Sequence, residues 1–176
     1  MDYTLPEFLA HAIALENEAA ERYLELADMM EAHRNDPVAE LFRDMVRYSR
    51  MHHASIVERA QGIALPALRS WQYRWRQPPE AGGDEAFDIS LDTWTALCYA
   101  RANEVRAMEY YSEVGQSTSD AEVKRLAAEF AAEETEHVAA LDQWLARTPR
   151  PSTTWRDDPA APAACPGRDW CAHDAR

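Results

Sequence analysis

Glu133-Glu134-Thr135-Glu136-His137 interrupts an otherwise regular run from Val123 to Leu145. At about 3.6 residues per turn, Val123, Leu126, Phe130, Glu134, His137, Leu141 and Trp144 share one helix face. That face is apolar except at Glu134 and His137, one turn apart and aimed where a core should be. Burying a carboxylate costs several kcal/mol unless something pairs with it. A metal ion shared with other helices would pair with it, because Glu-x-x-His delivers a carboxylate oxygen and an imidazole nitrogen to one point. By itself the motif is weak, since Glu-x-x-His recurs by chance in glutamate-rich helices as a surface pair. The metal reading needs matching ligands from the rest of the chain.

Three more helical patterns precede this one. The first begins at Thr4 as N-cap, with Pro6 in the first turn and Glu7 as capping-box partner. Its inward row is Leu5, Leu9, Ile13, Glu16, Ala20, Tyr23, Ala27 and Met30, again an apolar stripe broken by one acid, while Glu18, Glu21 and Glu25 fall on solvated faces. His33-Arg34-Asn35-Asp36-Pro37 reads as a tight turn, with Asp36 capping a second helix that runs from Pro37 to about Ala60 and stops at Gln61-Gly62. Its inward row is Val38, Leu41, Phe42, Met45, Ser49, His52 and Ile56.

From 63 to 88 the periodicity fails. Pro66, Pro78, Pro79 and Gly82-Gly83 exclude one continuous helix, and Trp71, Tyr73 and Trp75 read as aromatic cover over the end of the core. A third helix takes Ser90 as N-cap with Asp92 in its first turn, and Gly115 marks its end. Its inward row is Leu97, Arg101, Glu104, Met108 and Tyr111. After Leu145 five prolines and little apolar periodicity make 148–176 a tail that is flexible unless a partner orders it.

Composition agrees with long helices: 47% hydrophobic residues and only five glycines in 176 residues, enough for one domain with a proper core. A net charge of −13 argues against nucleic acid or an anionic membrane surface as partner. No stretch approaches the ~20 apolar residues of a membrane span, and the N-terminus lacks the basic and apolar regions of a signal peptide. The three cysteines, Cys98, Cys165 and Cys171, suggest no disulfide framework. The expectation is a soluble, cytoplasmic protein.

The two halves repeat. Leu15 to Tyr23 aligns with Asn103 to Tyr111, each with an inward Glu followed seven residues later by an inward Tyr. Leu41 to His52 aligns with Leu126 to His137, matching His52 to His137 and Ser49 to Glu134. Every helix thus places a polar group at mid-length: Glu16, His52, Glu104 and the pair Glu134/His137. One such group is commonly a tolerated core polar residue; all at matching depth point to a metal. Tyr23 and Tyr111 read either as hydroxyls reaching the carboxylates or as core packing.

The pattern Glu-x6-Tyr, then His, then Glu-x6-Tyr and Glu-x-x-His, resembles the ferritin-like di-iron carboxylate proteins, in particular the rubrerythrin-like branch, over about residues 4–147. The resemblance implies an all-α, antiparallel four-helix bundle spanning residues 1–147, with a long crossover between helices two and three. It implies two irons, with Glu16 and His52 serving one, Glu104 and His137 the other, and Glu134 bridging. It departs from the family in three ways. Ser49 stands where a second bridging glutamate is expected, leaving room for water, a small exogenous ligand or substrate, or else signalling one metal (iron, zinc or manganese) or a lost site. Ala107 stands where peroxide-reducing rubrerythrins carry an extra glutamate. No rubredoxin-like domain is present, and Cys165 and Cys171 lack iron–sulfur spacing.

The expected function is a non-haem di-iron oxidoreductase acting on peroxide or dioxygen, with electrons from a separate donor. Two alternatives stay open: an iron or zinc carrier without turnover, and a metal-free structural or interaction bundle. Dimerisation is compatible with the family, though no extra apolar stripe demands it.

Overall fold

The computed structural model describes residues 2–75 and 92–150. Four long helices fill them: α1 (Leu5–Ala32), α2 (Asp36–Arg59), α3 (Thr93–Ser117) and α4 (Ala121–Arg147). Local chemistry sets their starts. The Glu7 carboxylate accepts from the backbone N–H and hydroxyl of Thr4 at 2.9 and 2.8 Å, as the capping box requires. Asp120 accepts from the N–H groups of Glu122 and Val123 to begin α4. Two caps differ from expectation by one or two residues. Asn35, not Asp36, is the N-cap of α2. Asp92 caps α3 by accepting from Thr95 N–H at 3.0 Å, while Ser90 lies outside the described residues. Nor does Gly115 end α3. It sits inside the helix against α4, where a Cβ would make ordinary contact with Ala127 at 3.5 Å. Gly62, just past α2, has φ +80°, the left-handed conformation that glycine adopts without strain.

α1 packs on α2 and α3 on α4, giving two antiparallel hairpins. Two apolar clusters hold them together. One gathers the end of α1 (Tyr23, Met30), the start of α2 (Val38, Phe42), the start of α3 (Leu97, Tyr99) and the end of α4 (Leu141). The other gathers the start of α1 (Phe8, Leu9), the end of α2 (Ile56), the end of α3 (Tyr111, Val114) and the start of α4 (Val123, Phe130). Helices α2 and α3 therefore run in the same direction. The chain leaves α2 at one end of the bundle and enters α3 at the other, a distance of about 36 Å for a helix of this length. The expected long crossover between helices two and three is what this arrangement demands.

The described part of that connection packs where it leaves α2. Ile63, Leu65 and Trp75 rest on the second cluster. Trp75 meets His11 of α1 and Tyr110 of α3 edge-on, at 5.5 and 5.6 Å between ring centroids, and stacks on Tyr73 at 4.6 Å. Tyr73 and Trp75 thus cover the end of the core as expected. Trp71 does not; it is exposed, with Arg69 over its ring. Residues 76–88 of the expected crossover, the tail from 151 onward, and Cys165 and Cys171 lie outside the described residues.

Four side chains depart from the expected pattern. Arg101 and Met108 are only half-buried while Ala100, Asn103 and Ala107 fill the α3 core, and Arg101 pairs with Asp142 at 2.5 Å along the helix edge. Glu18 is half-buried rather than solvated, and burial pushes its carboxyl pKa up. Cys98, buried in α3, is disulfide-bonded, against the expectation drawn from the cysteines' places in a helix and in the tail. Among the described residues no helix is long and apolar enough to cross a membrane.

Candidate metal centre

Between the two apolar clusters lies a polar layer contributed by all four helices. His52 Nδ1 on α2 sits 3.4 Å from Glu16 Oε1 on α1 and 3.6 Å from Glu134 Oε1 on α4. His137 Nδ1 on α4 sits 3.2 Å from Glu104 Oε2 on α3 and 3.1 Å from Glu134 Oε2, one turn before it. The order Glu16, His52, Glu134, His137, Glu104 is unbroken, with Glu134 at its middle and one carboxylate oxygen turned to each imidazole. The two rings stack at 4.7 Å between centroids, 20° apart in plane. All five residues named from the sequence therefore meet. The three glutamates are buried. The histidine side chains remain 19% and 22% exposed, along the seam between α2 and α4.

Electrostatics within this layer are strongly perturbed. Burial raises Glu16 to about 7, against hydrogen bonding from His52, and raises Glu104 to about 8, against hydrogen bonding from His137. Burial also disfavours charge on Glu134, but hydrogen bonds from His137, His52 and Glu104 outweigh it and hold that carboxyl at about 2. Each imidazole loses hydration on burial yet is carried to about 10 by its two carboxylates. Without metal, the layer neutralises its acids with protons on both Nδ1 atoms.

The donor set fits a metal on three counts. Ligand atoms of His52, Glu134 and His137 lie within 4.8 Å of one another. Carboxylate oxygen with imidazole nitrogen is a donor mixture suited to iron, manganese or zinc. Both Nδ1 atoms face inward, where their protons stand in the place of a cation. Glu16 and Glu104 flank the group from α1 and α3 as the outer carboxylates.

A profile of the Rubrerythrin family matches residues 7–68, a span that contains Glu16, Ser49 and His52. The chain is also similar to the crystal structure of an uncharacterised conserved protein from Magnetospirillum magnetotacticum MS-1, at 61% identity and a TM-score of 0.67, over 85% of this chain and 99% of that one. This chain belongs to the rubrerythrin-like, ferritin-like family. No match to a curated protein was found.

Within a rubrerythrin-like bundle, the residue at 49 separates this centre from a symmetric one. Ser49 is buried, and its hydroxyl donates to the Met45 carbonyl of its own helix at 3.2 Å. It offers no carboxylate opposite Glu134. Of the two tyrosines singled out by the repeat, Tyr23 accepts a hydrogen bond from Asn103 Nδ2 at 3.0 Å. Tyr111 packs its ring against Phe8 and Phe130 at 6.1 and 5.4 Å. Asn103 was not anticipated. It is fully buried beside Glu104, and Arg106 donates to its Oδ1. One available signal was a mismatch in the repeat, the polar Asn103 standing against the apolar Leu15. Tyr48 was also missed; its ring lies 5.7 Å from that of His137 at the open seam.

Proposed function

We propose that the chain is a di-metal oxidoreductase of rubrerythrin type, holding two irons in the bundle core and acting on peroxide or dioxygen. In this reading Glu16 and His52 hold one metal, Glu104 and His137 the other, and Glu134 joins them. The observation that carries it is Glu134, whose two oxygens face imidazoles on two different helices at 3.6 and 3.1 Å. A carboxylate serving a single metal has no need of that division.

The chemistry supplied by bound iron is one-electron change at each ion, so that a pair can deliver two electrons to an O–O bond. The chain's own residues have other tasks. His52 and His137 give up their Nδ1 protons on loading, and the buried carboxylates give up theirs, so metal uptake releases protons. The seam at Tyr48, His52 and His137 admits small solutes, while the two apolar clusters shut water out above and below. Electrons come from a separate protein, which completes the reading.

The test is metal content per chain on protein from iron-supplemented cells, followed by oxidation of the bound ferrous form with peroxide. Two irons per chain and peroxide-dependent oxidation are expected. Metal-loaded protein that is inert to both peroxide and dioxygen would overturn the redox assignment and leave a carrier. That second reading has its own support in Ser49, whose hydroxyl is tied to Met45 and leaves the pair with a single protein bridge.

A further inference from the structure

We propose that the position opposite Glu134 is a binding site for a small carboxylate-type anion of formate or acetate size, created by Ser49. The inference rests on the di-metal reading above and specifies what completes that centre.

Register places the site. Ser49 precedes His52 by three residues, as Glu134 precedes His137, so each stands one turn before an imidazole on the same helix face. The two imidazoles stack on each other, so the repeat sets Ser49 and Glu134 as matching positions on the two helices that meet there. On the Glu134 side a carboxylate spans both imidazoles. On the other side is a side chain shorter by a CH2 and a carboxylate, buried, with its hydroxyl turned back to Met45. What is absent from the donor set has the size and charge of acetate.

Charge argues the same way. Two divalent ions outweigh Glu16, Glu104 and Glu134 by one positive charge when both imidazoles ligate as neutral donors. An uncompensated charge in a buried layer is costly, and one monoanion removes it. A route also exists: His52 and His137 are the partly exposed members of the centre, and the exposed Tyr48 ring lines the seam beside His137. Water could fill the volume, but it brings no charge unless it ionises, whereas a carboxylate brings both the charge and two oxygens for two metals.

The experiment titrates formate and acetate into the full chain loaded with cobalt(II), following heat and the cobalt visible spectrum, after assay confirms two metals per chain. Chloride serves as the monatomic-anion control, without a carboxylate's two oxygens. Saturable one-to-one binding is expected in wild type and in Ser49→Ala. Binding should be absent in metal-free protein and weakened at least about tenfold in Ser49→Glu, whose own carboxylate takes the site. Absence of binding in wild type at two metals per chain overturns the inference while leaving the di-metal reading intact. Undiminished binding in a folded, two-metal Ser49→Glu protein overturns it as well. A wild-type chain that never holds two metals overturns the di-metal reading and this inference with it. Where Ser49→Glu does not fold, Ser49→Leu fills the same volume without a charge, and undiminished binding in that folded, two-metal protein overturns the inference.

Discussion

His52 and His137 stack face to face at 4.7 Å although they belong to different hairpins, and both turn Nδ1 toward the same carboxylate, Glu134. Two imidazoles that each bind a proton up to about pH 10 would repel one another in this position were it not for the anion between them. Glu134 is thus the anion on which this meeting of imidazoles depends, while Arg59 and Glu129 also join α2 to α4.

Glu134→Gln should expose that dependence. It keeps the volume and removes the charge. Metal content is expected to fall from two per chain to at most one, and metal-free stability to drop by roughly 1–3 kcal/mol as both imidazoles lose an anionic acceptor. Elemental analysis and chemical denaturation read the two effects separately. A variant that keeps both metals would remove Glu134 from its bridging role.

The proton balance of the centre gives a pH dependence of known sign. Glu16 and Glu104 are raised to about 7 and about 8 from an ordinary 4.5, and His52 and His137 to about 10 from 6.5. Each holds a proton in the folded chain that the unfolded chain has released. Their contribution is present below the ordinary value and is lost as pH rises through the folded one. Glu134, lowered to about 2, contributes above its ordinary 4.5 and loses that contribution as pH falls. The centre of the chelator-treated protein therefore loses stability from about pH 5 upward. Metal competes with the same protons, so its stabilising effect on the melting temperature should be larger at about pH 8 than at about pH 6. A metal effect that is flat across this range would rule out exchange of protons for metal.

Asn103 and Tyr23 join α3 to α1 through one buried hydrogen bond. A double-mutant cycle with Asn103→Leu, the residue type found at the matching position 15, and Tyr23→Phe should return a coupling of about 1 kcal/mol. Metal content should change little, because neither group is among the five that form the centre. A large loss of metal in Tyr23→Phe alone would instead assign its hydroxyl to a carboxylate.

Trp75 tests whether the crossover clasp is separable from the centre. Its ring closes against His11 and Tyr110 at the far side of one apolar cluster. Trp75→Ala is expected to destabilise by about 2 kcal/mol with full metal content retained. Loss of metal in parallel with stability would show that the clasp also fixes the ligands.

Much of this architecture was legible because the candidate ligands obey helical periodicity. Glu16, Glu104 and Glu134 interrupt largely apolar helix faces, and a charge in such a face is conspicuous. His52 was legible from its place in an inward row and from the repeat, although Ser49 deprives it of the Glu-x-x-His signature. Other features left fainter traces. Ser90 and Asp92 are both good caps by residue type, and only backbone geometry selects Asp92. Gly115 is a good helix terminator by type, yet tertiary contact with α4 carries the helix past it. Arg101 shares a helical row with Glu104 but lies at the edge of the buried stripe, where it reaches Asp142. Asn103 was hidden because an asparagine beside a ligand carries no periodic signal, and its role depends on a tyrosine eighty residues away in the chain.

Neither hairpin carries the whole candidate centre. The first supplies Glu16 and His52; the second supplies Glu104, Glu134 and His137. On the di-metal reading, high-affinity uptake would wait on the docking of one half on the other, and a metal's spectroscopic signature would time that step without any label on the protein.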